Sequence, residues 1–320
     1  MKRILSIHEA PIILFTLIVF FIFTTLSPNF LQMSNLQTIL LQITITGIIA
    51  IGMTMVILLG GMDLSVGAVL ALVATIVGLL VNAGVNIWLA VLLGIVVGAL
   101  CGAINGFIIT MFNIPDIITT LATMYIFRGI AVFVSGGVWV TNFPKEFEFL
   151  GQGKILGISF PILVLFILAC GFVLILGFTR FGRRIYAIGG NKNAARLSGM
   201  AMKRTKFLVY LYSGMLSAVA AAIYASNVGS IQASTAALNI SFDVIAAVLI
   251  GGASIFGGTG TIVGSMFGIL LLGIIQNGVI ISQFSPYWVD AITGMLIIVA
   301  IIINSLKRWK DSLKLEGKLK

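Results

Sequence analysis

Residues 64–115 read LSVGAVLALVATIVGLLVNAGVNIWLAVLLGIVVGALCGAINGFIITMFNIP, without one Asp, Glu, Lys or Arg. About 20 apolar residues cross the hydrocarbon of a bilayer as a helix, so a run of this length holds two crossings. Ala10 to Met62 and Val244 to Val289 are charge-free in the same way. In lipid, backbone amides and carbonyls stay paired only in helices or a closed barrel. The hydrophobicity is continuous rather than strictly alternating, which selects helices. Of the 320 residues 60% are hydrophobic and 9% charged, far below the roughly 25% charge of an ordinary soluble domain. The chain is therefore expected to be an all-α, polytopic membrane protein.

The placement of the cations sets the orientation. Sixteen of the 19 Lys and Arg residues lie in three segments: Lys2 and Arg3, the stretch from Arg180 to Lys206, and the tail from Lys307 onward. Positive loops stay on the cytoplasmic side, so these three share that side and an even number of crossings separates each pair. Six crossings fit before the basic loop, at about 10–28, 40–60, 64–82, 88–110, 117–136 and 160–179. Four fit after it, at about 207–227, 242–257, 261–281 and 288–306. The expectation is one membrane domain over 1–320 with ten helices and both termini cytoplasmic, a cytoplasmic loop at 179–206 and a basic cytoplasmic tail at 307–320. The span at 242–257 is short enough to be broken or re-entrant. The charge-balanced loop around Lys145, Glu146, Glu148 and Lys154 fits the outer face. The basic start followed by an apolar stretch from Ala10 to Leu26 exceeds a signal core, and no small-residue cleavage pattern follows, so it is read as a retained span.

Several function classes find no support. Cys101 and Cys170 lie inside expected spans, and His8 is the single histidine, so no disulfide framework or metal cluster is expected. No nucleophile with a base or pair of carboxylates is visible, which argues against an enzyme. GGASIFGGTG, residues 251–260, carries Gly258 where a phosphate loop needs lysine, so this chain is not expected to bind ATP. The net charge of +10 sits beside the spans and points to membrane lipid rather than nucleic acid.

Glycines mark tight packing. Gly94, Gly98, Gly102 and Gly106 recur every four residues, as do Gly260, Gly264 and Gly268, which puts each set on one helix face where a neighbouring backbone can approach. GGMDLSVG, residues 60–67, and GGASIFGG, residues 251–258, share a glycine pattern suggestive of internal duplication. Asp63 and Asp243 each sit at an expected helix start, where a carboxylate caps free amides; the other reading puts them beside a translocation path. Arg128 lies toward the outer end of the fifth span, where snorkelling to the interface would meet its charge; the other reading puts it too beside the translocation path. Asn105 and Asn277 each precede a glycine in an apolar span and are expected to bond between helices or to line a hydrated passage for a hydroxylated solute.

The basic loop contains RRIYAIGGNKNAARLSGM, residues 183–200. Asn193, Ala194, Ala195, Arg196, Leu197, Ser198 and Gly199 form a short helix-prone element with two small residues and a terminating glycine, expected to dock another protein. Gly189 and Gly190 are expected to fix the adjoining turn, and Arg183 and Arg184 precede it. The register Asn193-Ala194-Ala195, three residues, Gly199 resembles the Glu-Ala-Ala…Gly coupling loop of ABC importer permeases, with Asn in place of the acid. Together with GGMDLSVG and GGASIFGGTGTIVG it resembles the sugar branch of these permeases, the ribose, galactose, xylose and rhamnose type. The resemblance implies a two-subunit pore, homodimer or paired with a sister permease. It implies a cytosolic ATPase that binds the ATP and grips each coupling loop, and an extracytoplasmic binding protein that delivers sugar. The alternatives are a branched-chain amino-acid or nucleoside permease of the same superfamily and, more distantly, an ion-coupled secondary transporter, against which the long charge-free runs speak.

Overall fold

The computed structural model describes residues 10–285, 288–289, 291–296, 298–299 and 302. Lys2, Arg3, His8, Asp290 and the basic tail 307–320 lie outside the described residues, as does much of the expected tenth span, 288–306.

The chain is a bundle of helices. In order they are α1 (Ala10–Leu26), α2 (Met33–Leu58), α3 (Val66–Asn82), α4 (Ile87–Phe112), α5 (Asp116–Val134), α6 (Phe149–Gln152), α7 (Phe160–Phe178), α8 (Arg180–Gly190), α9 (Lys192–Leu197), α10 (Met202–Val228), α11 (Ile240–Ile250) and α12 (Ile262–Ile281). Among the described residues the strands are limited to a two-residue hairpin, β1 (Lys154–Ile155) and β2 (Ile158–Ser159). Six helices, α2, α4, α5, α7, α10 and α12, are long and apolar enough to cross a membrane, and α1, α3 and α11 are shorter apolar helices. This is an all-α polytopic membrane protein.

Two boundaries move for local reasons. The second span begins at Met33 rather than 40, because its polar first turns are satisfied locally: Asn35 Nδ2 donates to the Phe30 carbonyl at 2.9 Å and Thr38 Oγ1 to that of Ser34 at 3.0 Å. The expected span at 242–257 yields α11 of 11 residues, about 16 Å at 1.5 Å per residue, roughly half of a hydrocarbon core.

α10 forms the spine. It packs along α4, α2 and α3, and glycine makes the closest of these approaches possible. A Cβ on Gly98 would stand 2.5 Å from the Gly214 carbonyl oxygen, and one on Gly102 would collide with the carbonyl of Tyr210. Gly264 and Gly268 bring α12 equally close to α11, at the carbonyls of Gly251 and Ala247. Close backbone contact of this kind drives helix association where lipid is as apolar as leucine. The outer faces of α1, α4, α5 and α7 carry exposed large apolar side chains such as Phe21, Leu100, Phe133 and Ile167, which suits contact with acyl chains.

Candidate coupling site and polar clusters

The segment between α7 and α10 folds into a helical elbow. Thr179 Oγ1 accepts from the Gly182 amide at 3.2 Å and caps α8. Gly182, Ile185, Ile188 and Gly189 are buried, whereas Arg180, Arg183 and Arg184 are exposed. The three- and four-residue spacing thus gives α8 one face for the bundle and one for water. Asn191 Oδ1 accepts from the Ala194 amide at 2.9 Å and caps α9. Gly199, at φ +68°, closes α9, with the Met200 amide bonded to the Ala195 carbonyl at 3.1 Å. The left-handed conformation there is one glycine adopts without cost. Of α9 only Ala195 is buried; Asn193, Ala194 and Arg196 are exposed and Leu197 is 90% exposed. Composition alone did not single out Leu197, since a leucine next to two alanines reads as core until the helix's inner face is known.

Gly189 and Gly190 do not form the turn expected of them. They are the last residues of α8, and the chain uses Gly189 for closeness. Its Cβ would collide with the Leu58 carbonyl oxygen at the end of α2 and would stand 2.6 Å from the Gly258 amide nitrogen. Gly258 donates to that same carbonyl at 2.8 Å. A Cβ on Gly257 would lie 2.8 Å from the Gly60 nitrogen, and Tyr186 Oη donates to the Gly260 carbonyl at 2.9 Å. The glycine-rich turns at 60 and 251–260, which share a pattern in the sequence, therefore abut each other and the end of α8.

A second cluster lies beside this junction. Asp63 accepts at Oδ1 from the Ser65 amide (3.0 Å) and hydroxyl (2.6 Å), and at Oδ2 from Ser213 of α10 (3.1 Å). Its bond to the amide two residues on closes a local turn before α3, and the Ser213 contact ties that turn to α10. Asn105 of α4 donates to Ser65 Oγ at 2.8 Å, and its Oδ1 is buried with no partner among the described residues. Asp116, at the start of α5, pairs with Lys206 Nζ and accepts from Tyr210 Oη at 2.8 Å. Lys206 and Tyr210 belong to α10, just after the elbow, so this pair links the elbow's exit to α5. Lys206 had been legible only as one more cation of the loop.

The remaining candidates lie elsewhere. Arg128 reaches another loop: its Nη1 donates to the carbonyls of Ala233 (3.0 Å) and Ala236 in the segment before α11. Asn277 Nδ2 donates to Asn35 Oδ1 at 2.9 Å, joining α12 to α2. Asp243, in the first turn of α11, lines a cleft with α2 and α12. Asp63 accepts from the Ser65 amide at the start of α3, as a carboxylate before a helix is expected to, while α11 is preceded by Asn239 and shows no side-chain bond from that residue.

The family model described as branched-chain amino acid transport system / permease component matches residues 35–301. The ribose import permease protein RbsC of Bacillus subtilis (strain 168) is 40% identical over 296 residues, covering 92% of this chain and 91% of that protein. The protein of the same name from Escherichia coli (strain K12) is 36% identical, covering 91% and 92%. The L-arabinose transport system permease protein AraH of Escherichia coli (strain K12) is 37% identical over 281 residues, covering 88% and 85%.

Proposed function

The chain belongs to the branched-chain amino acid transport system / permease component family, and from that membership we infer that it is the membrane-embedded permease subunit of an ATP-driven sugar importer. It resides in the bacterial cytoplasmic membrane and is a conduit rather than an enzyme. The observation that carries this reading is 40% identity along 92% of the chain to a ribose import permease. A monosaccharide is the solute class, favoured over branched-chain amino acids because ribose and arabinose permeases share 36–40% of the residues.

On this reading the chain has ten spans with both termini and the elbow cytoplasmic. A soluble ATPase binds the ATP and covers α9, and an extracytoplasmic binding protein supplies sugar. A second permease subunit completes the pore, either another copy or a sister chain. Ala194, Leu197 and Gly199 form the docking surface, with Asn193 and the exposed arginines Arg183 and Arg184 around it, and Ala195 seats α9 on the bundle. Gly189 and Gly190 hand the displacement to α2 and to the 251–260 turn. For this to drive transport, the docking must differ in free energy between inward- and outward-open states. Of the candidates for the path, Asp243 is the one set in a cleft, whereas Asp63, Asn105, Arg128 and Asn277 serve the framework that shapes it.

The test is uptake by liposomes holding the permease with its ATPase, the binding protein outside and ATP inside. Ribose or L-arabinose accumulates only when both partners and hydrolysable ATP are present. Accumulation without the ATPase, or of leucine in place of either sugar, would overturn the reading.

A further inference from the structure

We propose that the groove between α7 and α12, together with the arginines of α8, holds an anionic phospholipid of the leaflet on the elbow's side, the cytoplasmic one on the proposed topology. The groove, of about 520 Å³, is lined on α7 by Phe166, Cys170 and Leu174 and on α12 by Val263, Met266 and Phe267. Positions three and four apart share one face of a helix, so each helix turns a single stripe toward it. Every side chain that lines it is apolar or a thiol, and none offers a hydrogen-bonding oxygen or nitrogen. From Phe166 to Leu174 the groove runs about 12 Å at 1.5 Å per residue, close to the roughly 15 Å that half of a hydrocarbon core provides. Spread over that length, the volume gives a cross-section of about 40 Å², roughly half that of a helix 10 Å across. A whole helix is too wide to lie in it, whereas an acyl chain fits.

The elbow places cations at the end of this groove. A single residue, Thr179, separates α7 from α8, and Tyr186 of α8 donates to the carbonyl of Gly260, just before α12. Both walls of the groove therefore end at α8. Arg180, Arg183 and Arg184 are exposed there, and Arg183 Nη1 reaches back to the carbonyl of Phe178, the last residue of α7, at 3.2 Å. Among the described residues none of the three arginines is paired with a carboxylate, and the stretch from Arg180 to Lys206 contains no Asp or Glu. A guanidinium binds phosphate through paired N–H bonds, and basic side chains immediately beyond a membrane helix attract anionic lipid. A neutral lipid would use the groove alone and free phosphate the arginines alone. An anionic phospholipid uses both, with an acyl chain between α7 and α12 and its phosphate at the guanidinium groups. The site borders the docking surface proposed for α9, but it does not depend on which solute or ATPase the chain serves.

The test uses the full chain in lipid nanodiscs, with Cys101→Ala and a bimane fluorophore on Cys170, which is exposed. Quenching of the bimane by brominated acyl chains is followed as brominated phosphatidylglycerol, or brominated phosphatidylcholine, replaces unbrominated phosphatidylcholine. The proposal expects half-maximal quenching by phosphatidylglycerol at a mole fraction about fivefold below that for phosphatidylcholine, or lower still. Combining Arg180→Gln, Arg183→Gln and Arg184→Gln should abolish that preference, and combining Arg180→Lys, Arg183→Lys and Arg184→Lys should keep most of it. Equal quenching of the unsubstituted arginine form by the two lipids would mean that bulk lipid merely bathes the groove, and would overturn the proposal. Absence of quenching by either would mean that protein covers the groove, a second copy of the chain included, and would overturn it as well. A preference that survives the three glutamines would remove the arginines from the site and with them the proposal. Transport enters none of these readouts, so the importer reading stands or falls separately.

Discussion

At the scale of single residues, Gly189 and Gly190 separate two uses of glycine that sequence cannot tell apart. A Cβ on Gly189 would collide with the backbone of α2, whereas one on Gly190 would meet nothing within 4 Å. Neither residue has positive φ, so backbone strain plays no part in the contrast. Gly189→Ala is expected to destabilise the protein by about 1–3 kcal/mol, the usual cost of forcing a methyl into a packed site, read as a lower midpoint of thermal unfolding in detergent together with loss of uptake. Gly190→Ala should be neutral or slightly stabilising, because alanine favours helix by about 1 kcal/mol over glycine. Equal behaviour of the two variants would mean the junction is not formed. The pair GG was visible in the sequence, but which member touches another backbone depends on residues 58 and 258, far away along the chain.

At the scale of elements, α9 and the segment before α11 carry opposite kinds of exposure. Ala194 and Leu197 face away from the bundle, so on the proposed function substitutions there act on a partner and not on the fold. Ala194→Trp and Leu197→Asp are each expected to leave expression and thermal stability unchanged and to weaken co-purification of the ATPase by tenfold or more, about 1.4 kcal/mol or above. Loss of folding instead would show that α9 is buried against the bundle. Arg128 works within the protein: it donates to two carbonyls of the 230–239 segment, which an isolated backbone bridge between Val140 and Ile231 also ties to the stretch after α5. Arg128→Gln should raise amide hydrogen exchange across 230–239 and leave α5 itself protected, since local opening follows the loss of local bonds. The short α9 was legible from its small residues and closing glycine. The clasp was not, because an arginine in an apolar span looks the same whether it reaches the interface or another loop.

At the scale of the whole molecule, hydropathy carried the class of fold, since a helix needs a run of about 20 apolar residues to cross a bilayer. The half-length α11 was foreshadowed only by the shortness of its run. The cleft beside Asp243 was invisible, because α2, α11 and α12, which form it, are separated by some two hundred positions of chain. The proposed ten-span arrangement makes a prediction of its own. A fluorescent protein that matures only in the cytoplasm should light up when fused after Lys320 or inserted near Ser198, and an alkaline phosphatase that requires the outer compartment should be active when inserted near Gly153. A dark fusion after Lys320 would reduce the count to an odd number of crossings.

Leu197 has a cost before assembly. An isoleucine- or leucine-sized side chain held in water forgoes about 1.5–3 kcal/mol relative to a covered one, and here it projects from a short helix with 90% of its surface wet. On the proposed function, a subunit apart from its ATPase therefore holds this apolar side chain open to the cytosol, and assembly recovers that free energy.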